Sequence, residues 1–378
     1  MAAMRHMLFC ASLTLLAPLI YDGAASAQEV ETSSLHLSAP VEQVAQKTKA
    51  SFVATPIPLS NPAIGTGLGV AALAIYQPSG SARPWTTGAG GLYTDTKSWG
   101  AAVFQKAYLG GDKYRVTAGV GTGVFNVDFF GIGASAGATG RSISLEQKSS
   151  GGLAEVLLRV SPHIHAGLRY RLIDMDTTVK TSNIPLPLQL PDFELKSTVS
   201  QLGLAGEFDS RDSEYNPRSG TYANAQLLYA SDALGSDFEY PRLTLAVNGY
   251  HGLSDKAVLA WRGSLCRSGD GAPFYDLCNY GQNNDLRGYS SGQYRDHAMV
   301  AAQVEYRRKL FWRLGGVAFA GVGEVASEFG KLNTKDLLPA AGLGVRFEAS
   351  QKYRVNVSVD YAVGDGSSAL YFYIGEAF

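Results

Sequence analysis

Along most of this chain, apolar and polar residues alternate one by one. In 353–363, Tyr353, Val355, Val357, Val359, Tyr361 and Val363 fall on one face, and Arg354, Asn356, Ser358 and Asp360 fall on the other. Tyr114, Val116, Ala118, Val120, Thr122 and Val124 form a similar row, backed by Arg115, Thr117 and glycines. In 341–348, Ala341, Leu343, Val345 and Phe347 alternate with Gly342, Gly344, Arg346 and Glu348. A period of two sends successive side chains to opposite faces, so these segments read as strands. The pattern predicts about sixteen of them, at 52–58, 64–77, 84–95, 98–109, 113–126, 143–160, 163–178, 194–208, 219–231, 238–251, 256–268, 297–311, 315–326, 338–349, 353–363 and 368–378.

A soluble sandwich also alternates, but it turns its apolar face to a core. Here the apolar rows carry tyrosines near their ends, and the opposite rows carry Arg, Asp, Asn and Gly. Aromatic girdles outside and polar side chains inside characterise a transmembrane antiparallel β-barrel. An all-β barrel of about 16 strands is near the size that encloses an aqueous lumen. Beyond the N-terminal apolar run there is no stretch of apolar residues long enough for a spanning helix. That leaves a barrel open, because a closed sheet crosses lipid with alternating residues.

The first residues read as an export signal. Arg5 and His6 precede an apolar run from Met7 to Ile20, and Ala25-Ser26-Ala27 offers a cleavage site. The expected organisation is a signal peptide at 1–27, a short polar periplasmic leader at 28–50 and the barrel at 51–378. The leader is too short for a stable domain without help. Short turns such as Gly110-Gly111-Asp112 alternate with long connections at 179–193 and 269–296. One rim is therefore expected to face the periplasm and the other the outside.

Net charge is −1, so bulk charge points to no nucleic-acid partner. Cleavage leaves two cysteines, Cys266 and Cys278. In an oxidising compartment such a pair can close a loop, although spacing alone does not show that they meet.

Some motifs suggest chemistry. Gly288-Tyr289-Ser290-Ser291-Gly292 reads as G-x-S-x-G, but a nucleophile elbow needs an apolar strand before its serine and a helix after it. Asn283, Asn284 and Asp285 precede Ser290, no helical pattern follows, and Gly133-Ala134-Ser135-Ala136-Gly137 repeats the motif. An outer-membrane hydrolase is thus a distant alternative, and no enzyme is expected. His163 and His165 share a strand face with no carboxylate at ligand spacing, so neither metal nor cofactor is expected. Gly65, Gly67 and Gly69 read as lumen-facing or bulge glycines, since no helix follows to make a phosphate loop.

Three further stretches occur in a telling order. Phe208-Asp209-Ser210-Arg211-Asp212 is followed by Asn216-Pro217 and Gly220. Leu286-Arg287-Gly288-Tyr289 sits within the long connection. "ALYFYIGEAF" closes the chain, with Phe372, Ile374 and Phe378. Together they resemble the bacterial surface antigen family, the barrel part of BamA- and TamA-like outer-membrane assembly factors. The resemblance runs from about residue 52 to the end, without the periplasmic POTRA domains.

The resemblance implies a long loop folded into the lumen, its Arg287 meeting acids on the wall. Glu305 matches one such acid, on the same face as Gln303 and Arg307. The second belongs to an F-x-D-x-G pattern, but here Phe319-Ala320-Gly321-Val322-Gly323 carries glycine. Asp360, Glu348 and Glu324 are candidates to replace it. Asp209, Arg211, Asp212, Pro217 and Gly220 imply either a pinned periplasmic turn or a partner site, and Phe372, Ile374 and Phe378 a C-terminal assembly signal. The implied partners are outer-membrane lipid, the barrel-assembly machinery for folding, and a separate periplasmic POTRA-bearing protein. Implied function is insertion or translocation of proteins or lipids at the outer membrane of a Gram-negative bacterium. The alternative is a passive or gated channel plugged by 269–296.

Overall fold

The computed structural model describes residues 50–61, 64–180, 195–281 and 285–378. The expected signal peptide, nearly all of the leader and most of the 179–193 connection lie outside the described residues.

Sixteen strands form one antiparallel barrel. In chain order they begin with β1 (Ser51–Asn61), β2 (Gly65–Tyr76), β3 (Trp85–Thr94), β4 (Trp99–Leu109), β5 (Tyr114–Phe129) and β6 (Ile143–Ser161). Next come β7 (Ile164–Val179), β8 (Lys196–Asp209), β9 (Gly220–Ala230), β10 (Tyr240–Ser254) and β11 (Ala257–Ser268). The long connection then holds its own two-stranded sheet, β12 (Cys278–Tyr280) and β13 (Tyr294–Asp296). The barrel resumes with β14 (Ala298–Phe311), β15 (Leu314–Ala326), β16 (Leu338–Ser350), β17 (Val355–Gly364) and β18 (Ser367–Ile374).

Exposure separates this fold from a sandwich. Leu343, Val345 and Tyr361 are 68%, 56% and 53% exposed, whereas Ser358 and Asp360 are fully buried. The apolar face points outward and the charged face inward, the reverse of a soluble core and the arrangement lipid requires. Apart from β1 and β18, which share one residue pair, neighbouring barrel strands pair along most of their length, so those backbone groups are satisfied without water.

Two features depart from the sequence expectation. The last strand ends at Ile374, not at 378. Gly375 has φ +102°, a left-handed conformation that glycine adopts without strain, and the chain there turns inward. The interior is also not polar all round. Val53, Ile57, Leu73, Ile75, Phe125 and Leu145, from β1, β2, β5 and β6, are buried in one apolar cluster. The inner faces of these strands pack against each other and against loop residues Phe274 and Tyr275. The charged lining is concentrated on the other strands.

Candidate functional site in the barrel lumen

The long connection between β11 and β14 enters the lumen and reaches both walls. A Cys266–Cys278 disulfide fastens its root, with Cα atoms 5.7 Å apart. Just before it, Asp276 is fully buried against one wall. It pairs with Arg171 and, at 3.5 Å, with Arg242; it accepts from Tyr240 and, at 3.3 Å, from Gln201.

The tip reaches the opposite wall. Arg287 is fully buried and forks between Glu305 on β14 and Asp360 on β17. It also donates to Gln303 at 3.3 Å and to the Tyr373 hydroxyl at 3.1 Å. Its guanidinium carbon lies 3.6 Å from the centre of the Phe319 ring. Two more arginines complete the cluster. Arg307 donates to Glu305 at 2.9 Å, and Arg346 joins Asp360 to Glu376, the latter at 2.7 Å. Three arginines thus meet three carboxylates, so the buried charges balance. That balance, with charge-assisted hydrogen bonds, offsets a desolvation cost of several kcal/mol per ion.

Tip backbone is tied down as well. Gly288 N–H donates to the Tyr371 hydroxyl at 2.9 Å, and its carbonyl accepts from Ser367. Its φ is +133°, and a Cβ there would lie 3.0 Å from the Val363 carbonyl carbon, so this tight seat favours glycine. The Tyr289 hydroxyl donates to the Pro339 carbonyl at 2.6 Å and accepts from Asp365 N–H at 3.1 Å. Leu286 sits over Gly321, where a Cβ would come 2.8 Å from its side chain.

That last contact accounts for the departure at Gly321. The position faces the loop tip, and the space is used by Leu286. The acid comes instead from Asp360, which stands across from Gly344, where a Cβ would be 1.8 Å from its carboxylate. Glu348 and Glu324 are not brought to Arg287. Glu348 lies 3.9 Å from Lys309, and Glu324 accepts from Asn333 N–H at 2.9 Å.

The turn between β8 and β9 enters from the other end. Asp209 pairs with Arg211 at 2.9 Å, and Arg211 lies 4.0 Å over the Tyr222 ring. Asp212 accepts from Arg218 and Ser219 N–H groups at 2.8 and 3.1 Å. Pro217 is buried, and Gly220 has φ +99° with a Cβ position 2.3 Å from the Ser210 carbonyl oxygen. Each contact shapes the turn. Sequence reading missed Glu214 and Tyr215, which this turn carries across to β3 and β4. Glu214 is 3.5 Å from Lys106, and Tyr215 bonds Thr86 at 3.2 Å. No motif marks them, because an acid and a tyrosine in a turn look solvent-exposed.

Ser290 is followed by a turn and the three-residue β13, not by a helix. His163 and His165 are spent on the carbonyls of Asp209 and Asp112, at 3.1 and 3.0 Å. Among the described residues no cluster of metal-ligating side chains forms. Phe378 turns into the lumen, where Arg307 donates to its main-chain oxygen at 2.9 Å and lies 5.0 Å over its ring. Ile374 is buried at the end of β18, and Phe372 is half-buried against the apolar cluster.

The sequence pattern of the Omp85 superfamily domain matches residues 83–378. The chain belongs to the Omp85 superfamily. Solved structures share the fold at low identity. BamA from Haemophilus ducreyi lacking POTRA domains 1–3 superposes with TM-score 0.52 at 16% identity, over 86% of this chain and 69% of that one. CdiB from Escherichia coli gives 0.58 at 12%, over 88% of this chain and 63% of that one. CdiB from Acinetobacter baumannii gives 0.55 at 12%, over 88% and 60%. No curated protein sequence matches. As an Omp85 barrel, the protein resides in the outer membrane of a Gram-negative bacterium.

Proposed function

We propose that this Omp85 barrel assists insertion or translocation of proteins, or of lipids, at the outer membrane, by parting the seam between β1 and β18. One observation carries the reading. Among the described residues, a single pair, Ser60 with Leu370, joins the first strand to the last, while β1 pairs with β2 from Ser51 to Asn61. Alternate strand residues send their N–H groups to the same side, so Pro56 and Pro58 share a side with Ser60, and neither has an N–H to donate. In hydrocarbon each unpaired backbone group costs several kcal/mol. The prolines keep β1 from closing the ladder, and the β18 edge, which has no proline and a single pair to β1, favours pairing with an incoming strand.

The plugged channel remains the second reading, because the described residues of the 269–296 loop, Asp276 and Arg287 among them, lie in the lumen. The apolar packing inside β1–β6 speaks against a wide passive pore. No catalytic role is proposed for Ser290. The partner we propose for it is a separate periplasmic protein that carries POTRA domains.

A Ser60→Cys/Leu370→Cys double variant tests the seam in proteoliposomes given an unfolded small barrel protein. Insertion should stop when the new pair is oxidised and return on mild reduction, with the unaltered protein indifferent to both. Insertion that continues through a locked seam sinks the proposal, and large steady single-channel currents would favour the pore.

A further inference from the structure

The mouth at the short-turn rim carries charge that the lumen network does not use. A cavity of about 100 Å3 opens there beneath β14–β17, lined by eight arginine and lysine residues against two glutamates. Arg307 and Arg346 are committed to Glu305, Asp360 and Glu376. Lys309 reaches Glu348 at 3.9 Å. Arg218, Lys256, Arg313 and Arg354 have no ion-pair partner among the described residues. They come from four different turns, 210–219, 255–256, 312–313 and 351–354, which adjoin around one sector of the rim. Arg354 holds a left-handed backbone, φ +56°, where glycine would be unstrained. Net charge over the whole chain is −1, so this concentration is local.

We propose that this cationic mouth docks an acidic segment of a polypeptide on the periplasmic side. Like charges gathered around one concavity repel one another, and a complementary anion relieves that repulsion. Strand parity favours a polypeptide over a lipid headgroup. Lys309 shares the inward parity of Glu305 and Arg307, and so does Glu348 with Arg346. Most strand residues lining the cavity share this inward parity, and Arg308, Leu314 and Gly316 form its outer edge, so the cavity opens mainly along the barrel axis. The lipid side of the same strands carries Tyr306 and Leu310, 37% and 54% exposed, with Arg308 bonded to the Tyr306 hydroxyl. Docking at this mouth does not depend on the seam opening. A barrel that inserts nothing would still bind the segment.

Fluorescence anisotropy tests it with purified, folded protein in neutral detergent. The probes are dye-labelled peptides of equal length carrying a run of glutamates, a run of lysines, or serines. Only the acidic peptide should bind, and binding should fall steeply as ionic strength rises from about 0.05 to about 0.5 M. Lys256→Glu/Arg313→Glu/Arg354→Glu should weaken it about tenfold or more, whereas Lys335→Glu, exposed on the 327–337 connection at the opposite rim, should leave it unchanged. Heat-modifiable mobility checks that each variant is folded. Equal binding of all three peptides, or acidic-peptide binding that survives the triple reversal, overturns the proposal. So does absence of peptide binding together with retention of phosphatidylglycerol over phosphatidylcholine in nanodiscs that the triple variant abolishes; the mouth would then hold headgroups.

Discussion

Arg287 lies over the Phe319 ring, its guanidinium carbon 3.6 Å from the ring centre, while its nitrogens fork to Glu305 and Asp360 on strands three apart around the wall. The ring supports one side of the guanidinium and the carboxylates hold its ends. A loop tip is thereby held at one depth in the lumen.

Arg287→Ala leaves Glu305 and Asp360 buried with one partner fewer. Loss of a buried partner costs roughly 3–5 kcal/mol, so the thermal unfolding midpoint in detergent should drop clearly. Arg287→Lys should not restore it, because an ammonium cannot make the planar fork. A double-mutant cycle with Asp360→Asn should show strong coupling. Additive losses would mean that the pair contributes independently.

Phe319→Leu keeps an apolar side chain but removes the ring face. A desolvated cation–π contact contributes about 2 kcal/mol, and the loss should vanish in the Arg287→Ala background. A loss of equal size in both backgrounds would assign it to packing alone.

Gly288→Ala adds a methyl group facing the Val363 backbone, at a φ of +133°. Backbone strain of this kind costs about 1–3 kcal/mol. The tip should unseat while the strands stay folded. Limited proteolysis within 269–296 should accelerate, with heat-modifiable mobility retained; unchanged cleavage would show that the seat tolerates the methyl group.

Cys266→Ser/Cys278→Ser opens the root of the loop. Closing a loop this short stabilises by on the order of 3 kcal/mol in the chain-entropy model. Here Asp276 and Arg287 hold the same loop at two other points, so the measured loss should be smaller than that. Combining the pair with Arg287→Ala should exceed the sum of the separate losses, read again by thermal melting.

Much of this was written along the chain. One-by-one alternation set the strands and the face each side chain takes, because successive residues of an extended chain point to opposite sides whatever surrounds them. Parity alone placed Glu305 inward beside Gln303 and Arg307, and Asp360 inward beside Ser358. The loop motif at Leu286–Tyr289 and the turn motif at Asp209–Gly220 were legible too, as local patterns. Depth was not legible. Glu348 and Asp360 have the same parity, and only the register that sets Gly344 against Asp360 and Glu348 against Asn356 puts one at the loop tip and the other near the rim. Nor did any local pattern announce that Glu214 and Tyr215 cross the lumen, that Phe378 turns inside, or that four unpaired cations from separate turns share one mouth. Such meetings depend on closing sixteen strands into a ring, which brings together residues far apart along the chain; alternation, a property of neighbours, carries no information about them.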